Sequence, residues 1–408
     1  MSAPVAAAPA PSPAGHDAST AAGPTLVQRA LRALAAPVLA IGFAAIASTL
    51  VLIASGNSPL DVWHVMTGPG LEVRNLVNTL NRTGPYYISG VAVAVGFKMN
   101  LFNIGVEGQY RLAALIAAAF GAAVSMPAFL HVPATLLVAM LTGAAWAAIA
   151  GVLKALRGVS EVISTIMLNA ISIGLTALLL GSWLKAPQRP GVYTVGTRYI
   201  DASGRLPSFN NVLSKVGIHL PSATKLGSFL VVAAVVGVVY YLLVWRTRFG
   251  FDLRATGSNA GAADASGVDA KRMVIWAMVI SGGFAGLVGL SRVLGEAGRY
   301  TSDTVVAGLG FTGIAVALIG RNHPVGIAFG ALLWAFMDAI RTPLANAELP
   351  KQITAIMQGI IVLSVVIAYE VVKRMFARRE AASSRRVTEP DGPVVPPDAG
   401  PAPEADLA

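Results

Sequence analysis

Two asparagines, a glutamate and a glutamine crowd into one short run, KMNLFNIGVEGQYRL at residues 98–112: Asn100, Asn103, Glu107 and Gln109. Carboxamides both donate and accept hydrogen bonds, and an ionised carboxylate accepts them, so the set is equipped to handle an uncharged, hydroxyl-rich molecule. A second polar set recurs at helical spacing in EVISTIMLN (residues 161–169), where Ser164, Thr165 and Asn169 share a face. A third stretch, RATGSNAGAADASGVDAKR (residues 254–272), contains a candidate short helix from about Ala260 to Ser266, with Asn259 placed to cap it and Gly267 to end it. A fourth, GLGFTGIAVALIGRNHP (residues 308–324), has glycines that permit close helix packing or a break. It ends in a turn at Asn322, His323 and Pro324, and His323 reads as a turn residue rather than a proton relay.

Covalent and acid–base chemistry is missing from these patterns. No lysine follows a glycine, which excludes a phosphate-binding G-x-x-x-x-G-K-[ST] loop. The five histidines form no H-E-x-x-H, and there is no cysteine, so disulfides and thiolate metal sites are excluded. No catalytic residue, metal site or cofactor of this chain's own is assigned. If ATP drives the protein, another chain hydrolyses it.

The elements that must position these polar groups are apolar helices. Of the 408 residues 55% are hydrophobic and only 12% charged, against about 25% charged in soluble domains, and the mean hydropathy is +0.67. This is an all-α, polytopic membrane bundle. A crossing needs about 20 apolar residues. The segments 35–54, 86–97, two helices between 112 and 152, 162–183, 226–245, 274–294, 305–319, 325–340 and 353–372 make about ten passes, some of them short. The two helices between 112 and 152 are parted by MPAFLHVP at 126–133. The net charge of +10 belongs to cytoplasmic loops, not to nucleic-acid binding. Arg29 and Arg32, Lys154 and Arg157, the basic residues at 246–273, and Lys373, Arg374, Arg378 and Arg379 all fall on one side, the cytoplasm. The 184–225 loop then lies outside, and both termini lie inside. Residues 1–30 and 376–408, rich in Ala and Pro or in charge, read as disordered tails flanking a membrane domain at 31–375.

In lipid the run at 98–112 needs internal partners. It is either a cytoplasmic turn, with Glu107 opening the next helix at its positive end, or a broken helix lining a water-filled path. The short apolar segment before it, 86–97, favours the path. The Ser164–Asn169 face is either interhelical glue or path lining. The 246–273 loop is either a solvated connector or a docking segment. Arg292 near a span end is explained by snorkelling to the interface.

Taken in order, FKMNLFNIGVEGQ, EVISTIMLN, LRATGSNAGAADASGV and GFTGIAVALIGRNHPVG resemble the permease subunits of bacterial ABC importers of the simple-sugar/branched-chain amino acid class. The nucleoside-uptake branch, served by basic-membrane-protein-type lipoproteins, is the nearest. The resemblance spans about residues 31–372. It implies an inner-membrane permease paired with a second permease chain, two ATP-binding subunits that carry the ATP and Mg, and an extracytoplasmic solute-binding lipoprotein. It implies that Asn100, Asn103, Glu107 and Gln109, with Ser164 and Asn169, belong to the translocation region. It also makes 246–273 the ATPase-coupling loop, with Arg254, Gly257, Asn259, Ala262, Ala263 and Gly267 as candidates. A simple-sugar permease is the near alternative. A secondary transporter is remote, because it would want paired ionisable groups within its spans.

Overall fold

The computed structural model describes residues 26–187, 194–221 and 224–388. The tail assignments at 1–25 and 389–408 lie outside the described residues. Contacts divide the chain into a main unit, Ile41–Ile367, and a small one built from its two ends, Met1–Ala40 and Ala368–Ala408. The described parts of the small unit are helical and include 26–30 and 376–388, which composition alone assigns to the tails.

Helices dominate, and among the described residues there are two isolated bridges, Gly196–Thr301 and Ser208–Gly227, in place of any sheet. The first half of the chain gives α1 (Leu26–Ala54), α2 (Pro59–Thr67), α3 (Val73–Phe97), α4 (Val106–Ala123), α5 (Ala128–Arg157) and α6 (Glu161–Ser182). After a largely irregular segment holding α7 (Asn210–Lys215) come α8 (Phe229–Tyr241), α9 (Arg248–Ser258), α10 (Ala260–Ala265) and α11 (Ala270–Leu287). The bundle closes with α12 (Leu290–Arg292), α13 (Leu309–Ile319), α14 (Pro324–Ala339), α15 (Arg341–Asn346) and α16 (Ile353–Thr388). Among the described residues six helices are long and apolar enough to cross a membrane, and Leu39–Ala54 and Leu309–Ile319 are shorter apolar ones.

α3 corrects the sequence reading most. It starts at Val73, not at the apolar boundary near 86, and its 25 residues give a rod of about 37 Å at 1.5 Å per residue. Its first half is polar on one face, with Arg74, Asn78, Asn81 and Arg82 at spacings that a helix aligns. Its second half, from Gly84 to Gly96, is buried throughout. The helix before the 98–112 run is therefore longer than its apolar part, and its length no longer argues for a helix that stops short. A hydropathy window discards a helix half that faces polar partners inside a bundle.

The surface is inverted relative to a soluble protein. On α6, Ile163, Ile166, Met167, Ile171, Ile173 and Leu178 face outward, while Ser164, Thr165, Asn169, Ser172 and Thr176 are buried. Without a hydrophobic drive between helices in lipid, close backbone packing has to hold them together. The tightest pair is α5 on α11, where Ala139, Gly143 and Ala147 meet Gly282 and Gly286 so closely that a Cβ on Gly286 would overlap the Ala139 carbonyl. The break between α4 and α5 is confined to 124–127, and Pro133 sits inside α5.

Gly286→Val should destabilise the purified protein by about 1–3 kcal/mol, the usual cost of forcing extra atoms into a packed contact. Gly174→Ala, whose new methyl meets nothing within 4 Å, should leave it unchanged. Thermal unfolding in detergent separates the two.

Candidate functional site

The 98–112 run folds into a turn joining α3 to α4 and the first residues of α4 itself, and its buried polar groups are engaged within the protein. The Asn103 amide donates to Gln109 Oε1 at 3.0 Å and to Ser281 Oγ at 2.8 Å. Its oxygen accepts from Gln109 Nε2 at 2.9 Å and from the Gly105 N–H at 3.0 Å. Ser281, on α11, in turn donates to the Ala92 carbonyl of α3 at 2.6 Å. Asn169 reaches over from α6, accepting from the Gly108 N–H at 2.8 Å and donating to the Ile104 carbonyl at 2.9 Å. Asn103 and Gln109 are each only 1% exposed. A satisfied buried network of this kind fixes geometry; its amides are already engaged.

Glu107 extends the network to α13. Its Oε1 accepts from the Gly308 N–H at 3.0 Å, and its Oε2 from the Gly310 N–H at 3.1 Å. Arg111 pairs with it at 2.9 Å, one turn along α4. The Tyr110 hydroxyl lies 2.8 Å from the same carboxylate and 2.7 Å from the Val306 carbonyl. The carboxylate meets the N–H groups at the start of α13, the positive end of that helix dipole. The turn thus gathers Asn103, Glu107, Gln109 and Asn169. Asn100 stands apart, exposed and in a left-handed conformation (φ 59°). Ser164 is buried but bonds back to the Ser160 carbonyl of its own helix.

The open space lies at the other end of α3. A cavity of about 840 Å³ is bounded by the polar half of α3, by the segment between α6 and α8, and by the chain from α12 to α13. Its wall carries Arg74, Arg82, Arg205, Lys225 and Arg292 with one acid, Glu296, and amides from Asn78 and Asn81. Val306 and Leu309, the neighbours of the Glu107-bound glycines, also line it. The volume suits a small organic molecule. Guanidinium groups donate in a planar fork and can stack on flat rings, and five basic residues against one acid make the wall electropositive. Two anchors shape it. Asp338 pairs with Arg82 and with Arg341 (3.0 Å) and accepts from the Tyr86 hydroxyl at 3.1 Å. Asn81 donates to the Lys225 carbonyl at 2.7 Å and accepts from the Gly227 N–H at 2.8 Å. Sequence reasoning misses this cavity, although the four-, three- and one-residue steps from Arg74 to Arg82 carry the signal.

The loop at 246–273 is largely helical and mostly exposed, with Gly250, Leu253, Thr256, Ala263 and Met273 buried. α10 forms where the sequence predicts, with Asn259 Oδ1 accepting from the Ala262 N–H at 3.1 Å and Gly267 at φ 86° closing it. Arg254 donates to the Val244 carbonyl. Gly257 lies against the backbone of Lys98 and Met99. Ala263 is buried in its own chain, whereas Ala262 is exposed. Nearby, Lys98 Nζ sits 5.1 Å from the Trp245 ring centre. Burial holds the Lys98 ammonium below its ordinary pKa, and Arg254 and Arg321 push it the same way.

Removing the Glu107 carboxylate leaves buried N–H groups and Arg111 without their acceptor. Glu107→Ala should cost about 3–5 kcal/mol, as when one side of a buried ion pair is deleted, and Glu107→Gln should cost less. Thermal unfolding of the detergent-solubilised variants reads the difference.

Residues 75–366 match the family described as branched-chain amino acid transport system / permease component. The guanosine ABC transporter permease protein NupP of Bacillus subtilis is 33% identical, with 83% of this chain and 94% of that protein covered. The nucleoside ABC transporter permease protein NupB of Lactococcus lactis is 29% identical over 88% of this chain and 98% of its own length. The glucose ABC transporter permease protein TsgB13 of Haloferax volcanii is 31% identical over 80% of this chain and 85% of its own. No solved structure matches the chain. An apolar-surfaced helix bundle, an open polar cavity and a family match over most of the length agree, and the chain belongs to the permease components of the branched-chain amino acid transport family.

Proposed function

We propose that this chain is the membrane-spanning permease subunit of an ATP-driven importer of nucleosides, and that the cavity beside α3 is its solute vestibule. The observation that carries the solute class is the likeness to guanosine and nucleoside permeases over nearly their whole length. The cavity wall is compatible with it, because guanidinium groups can stack on a heterocyclic base and donate to its acceptors. In this reading the chain crosses the inner membrane ten times, by α1, α3, α4, α5, α6, α8, α11, α13, α14 and α16. The basic residues at 246–273 and after α16 support a cytoplasmic position for that loop and for both termini. The 184–225 segment and the cavity mouth then face outward, toward a solute-binding lipoprotein.

ATP and Mg belong to a separate ATP-binding subunit, which docks on the exposed side of α10 around Ala262. Arg254, Asn259, Ala263 and Gly267 shape that docking element, and Gly257 of α9 couples it to the Lys98–Met99 backbone without facing the partner. A second permease chain completes the membrane pair. Asn103, Glu107, Gln109 and Asn169 serve passage by holding the turn and the cavity wall in place; Asn100 and Ser164 flank that turn. The glucose permease likeness supports a second reading, a simple-sugar permease, which shares the hydroxyl chemistry but not the planar base.

Reconstituted with its partner subunits, the complex should take up labelled guanosine only with ATP, and excess unlabelled nucleoside should compete while glucose does not. Competition by glucose alone would favour the sugar reading. The cysteine-free chain allows single-cysteine labelling with a membrane-impermeant reagent. Asn78→Cys should label from outside with protection by solute, and Ala262→Cys from inside only. Ala262→Glu should weaken co-purification of the ATP-binding subunit at least tenfold. Unchanged association would remove α10 as the docking element.

A further inference from the structure

The α3–α4 turn is gripped at both ends by backbone-on-backbone contacts. On one side a Cβ at Gly257 of α9 would overlap the Lys98 carbonyl and come within 2.7 Å of Met99 Cα. On the other a Cβ at Gly310 of α13 would overlap the Glu107 N–H and come within 2.8 Å of its Cα. Main chain resting on main chain has no flexible side chain to absorb a displacement, so movement at one contact is passed to the next. Between the two grips the turn is stiffened by the Asn103–Gln109 amide pair and by Asn169. Beyond the second, the Glu107 carboxylate holds the N–H groups of Gly308 and Gly310, whose neighbours Val306 and Leu309 line the cavity.

We propose that this turn is the mechanical relay between the ATPase-docking loop and the cavity wall, with Gly257 and Glu107 as its two positioning residues. The inference rests on the docking role given to α10 above. α10 follows α9 after the single residue Asn259, so a pull on α10 moves α9. The Gly257 contact carries that movement into Lys98–Met99, and the braced turn delivers it to the start of α13. The cavity wall at Val306–Leu309 then shifts in step with nucleotide binding and hydrolysis on the partner. Neither residue needs to touch solute.

The test uses the full transporter complex in proteoliposomes. Gly257→Ala should keep the ATP-binding subunit bound and hydrolysing, yet lower uptake at least tenfold and raise the ATP consumed per solute by a similar factor. Gly174→Ala is the control, since its methyl meets nothing within 4 Å, and it should behave as wild type. An environment-sensitive fluorophore on Phe102→Cys, an exposed turn position, or on Val306→Cys, a cavity position, should respond to vanadate trapping of the ATPase. In the Gly257→Ala background the two responses should fall together. A silent turn beside a responding cavity overturns the relay, as does Gly257→Ala with wild-type uptake and coupling. The Phe102 and Val306 probes in the otherwise native chain still decide for or against the relay if Gly257→Ala fails to assemble. Failure of the wild-type chain to bind an ATP-binding subunit would instead remove the docking role, and the relay with it.

Discussion

One carboxylate ties the two halves of this protein together. Glu107 opens α4, and more than 200 residues later the chain returns so that Gly308 and Gly310 can donate to it. Lipid offers no competing hydrogen bonds for the N–H groups at the start of α13. Something within the protein must satisfy them, and a glycine-lined approach lets the acid come close enough. Arg111 and Tyr110 keep the same carboxylate in place from its own helix. Once this clamp is set, the positions of α4 and α13 follow, as does the part of the cavity wall that runs from Val306 to Leu309.

The network also explains why so polar a run survives in so apolar a chain. Each amide in it has a complementary partner: Asn103 faces Gln109, and Asn169 faces the main chain of the turn. Half-satisfied, such a cluster would destabilise the bundle; fully satisfied, it picks out one arrangement of α3, α4, α6 and α11. The small-residue seam between α5 and α11 adds close packing but little directionality. Packing sets how near the helices come, and the amides set which residues meet.

Much of this is legible in the residues. The helical class follows from composition, and α10 with its Asn259 cap and Gly267 stop follows from local capping chemistry. The 98–112 run stands out because a cluster of amides in an apolar chain must meet partners. What stays hidden is where those partners lie. Ser281 and the N–H groups of Gly308 and Gly310 are distant in sequence and carry no local mark of their role. The polar half of α3 escapes for a different reason. A hydropathy reading sees Arg74, Asn78 and Arg82 as too costly for a crossing, but Asp338 compensates Arg82 and the cavity accommodates the rest. Helical spacing, applied before hydropathy, finds that face.

The fastening between Asn81 and the segment leading into α8 has a consequence for how such a protein diversifies. Asn81 grips main-chain groups, the Lys225 carbonyl and the Gly227 N–H. The grip is blind to the side chains of the strap it holds. Side chains elsewhere on that strap can therefore be exchanged, altering the chemistry of the cavity rim, while the strap itself stays anchored.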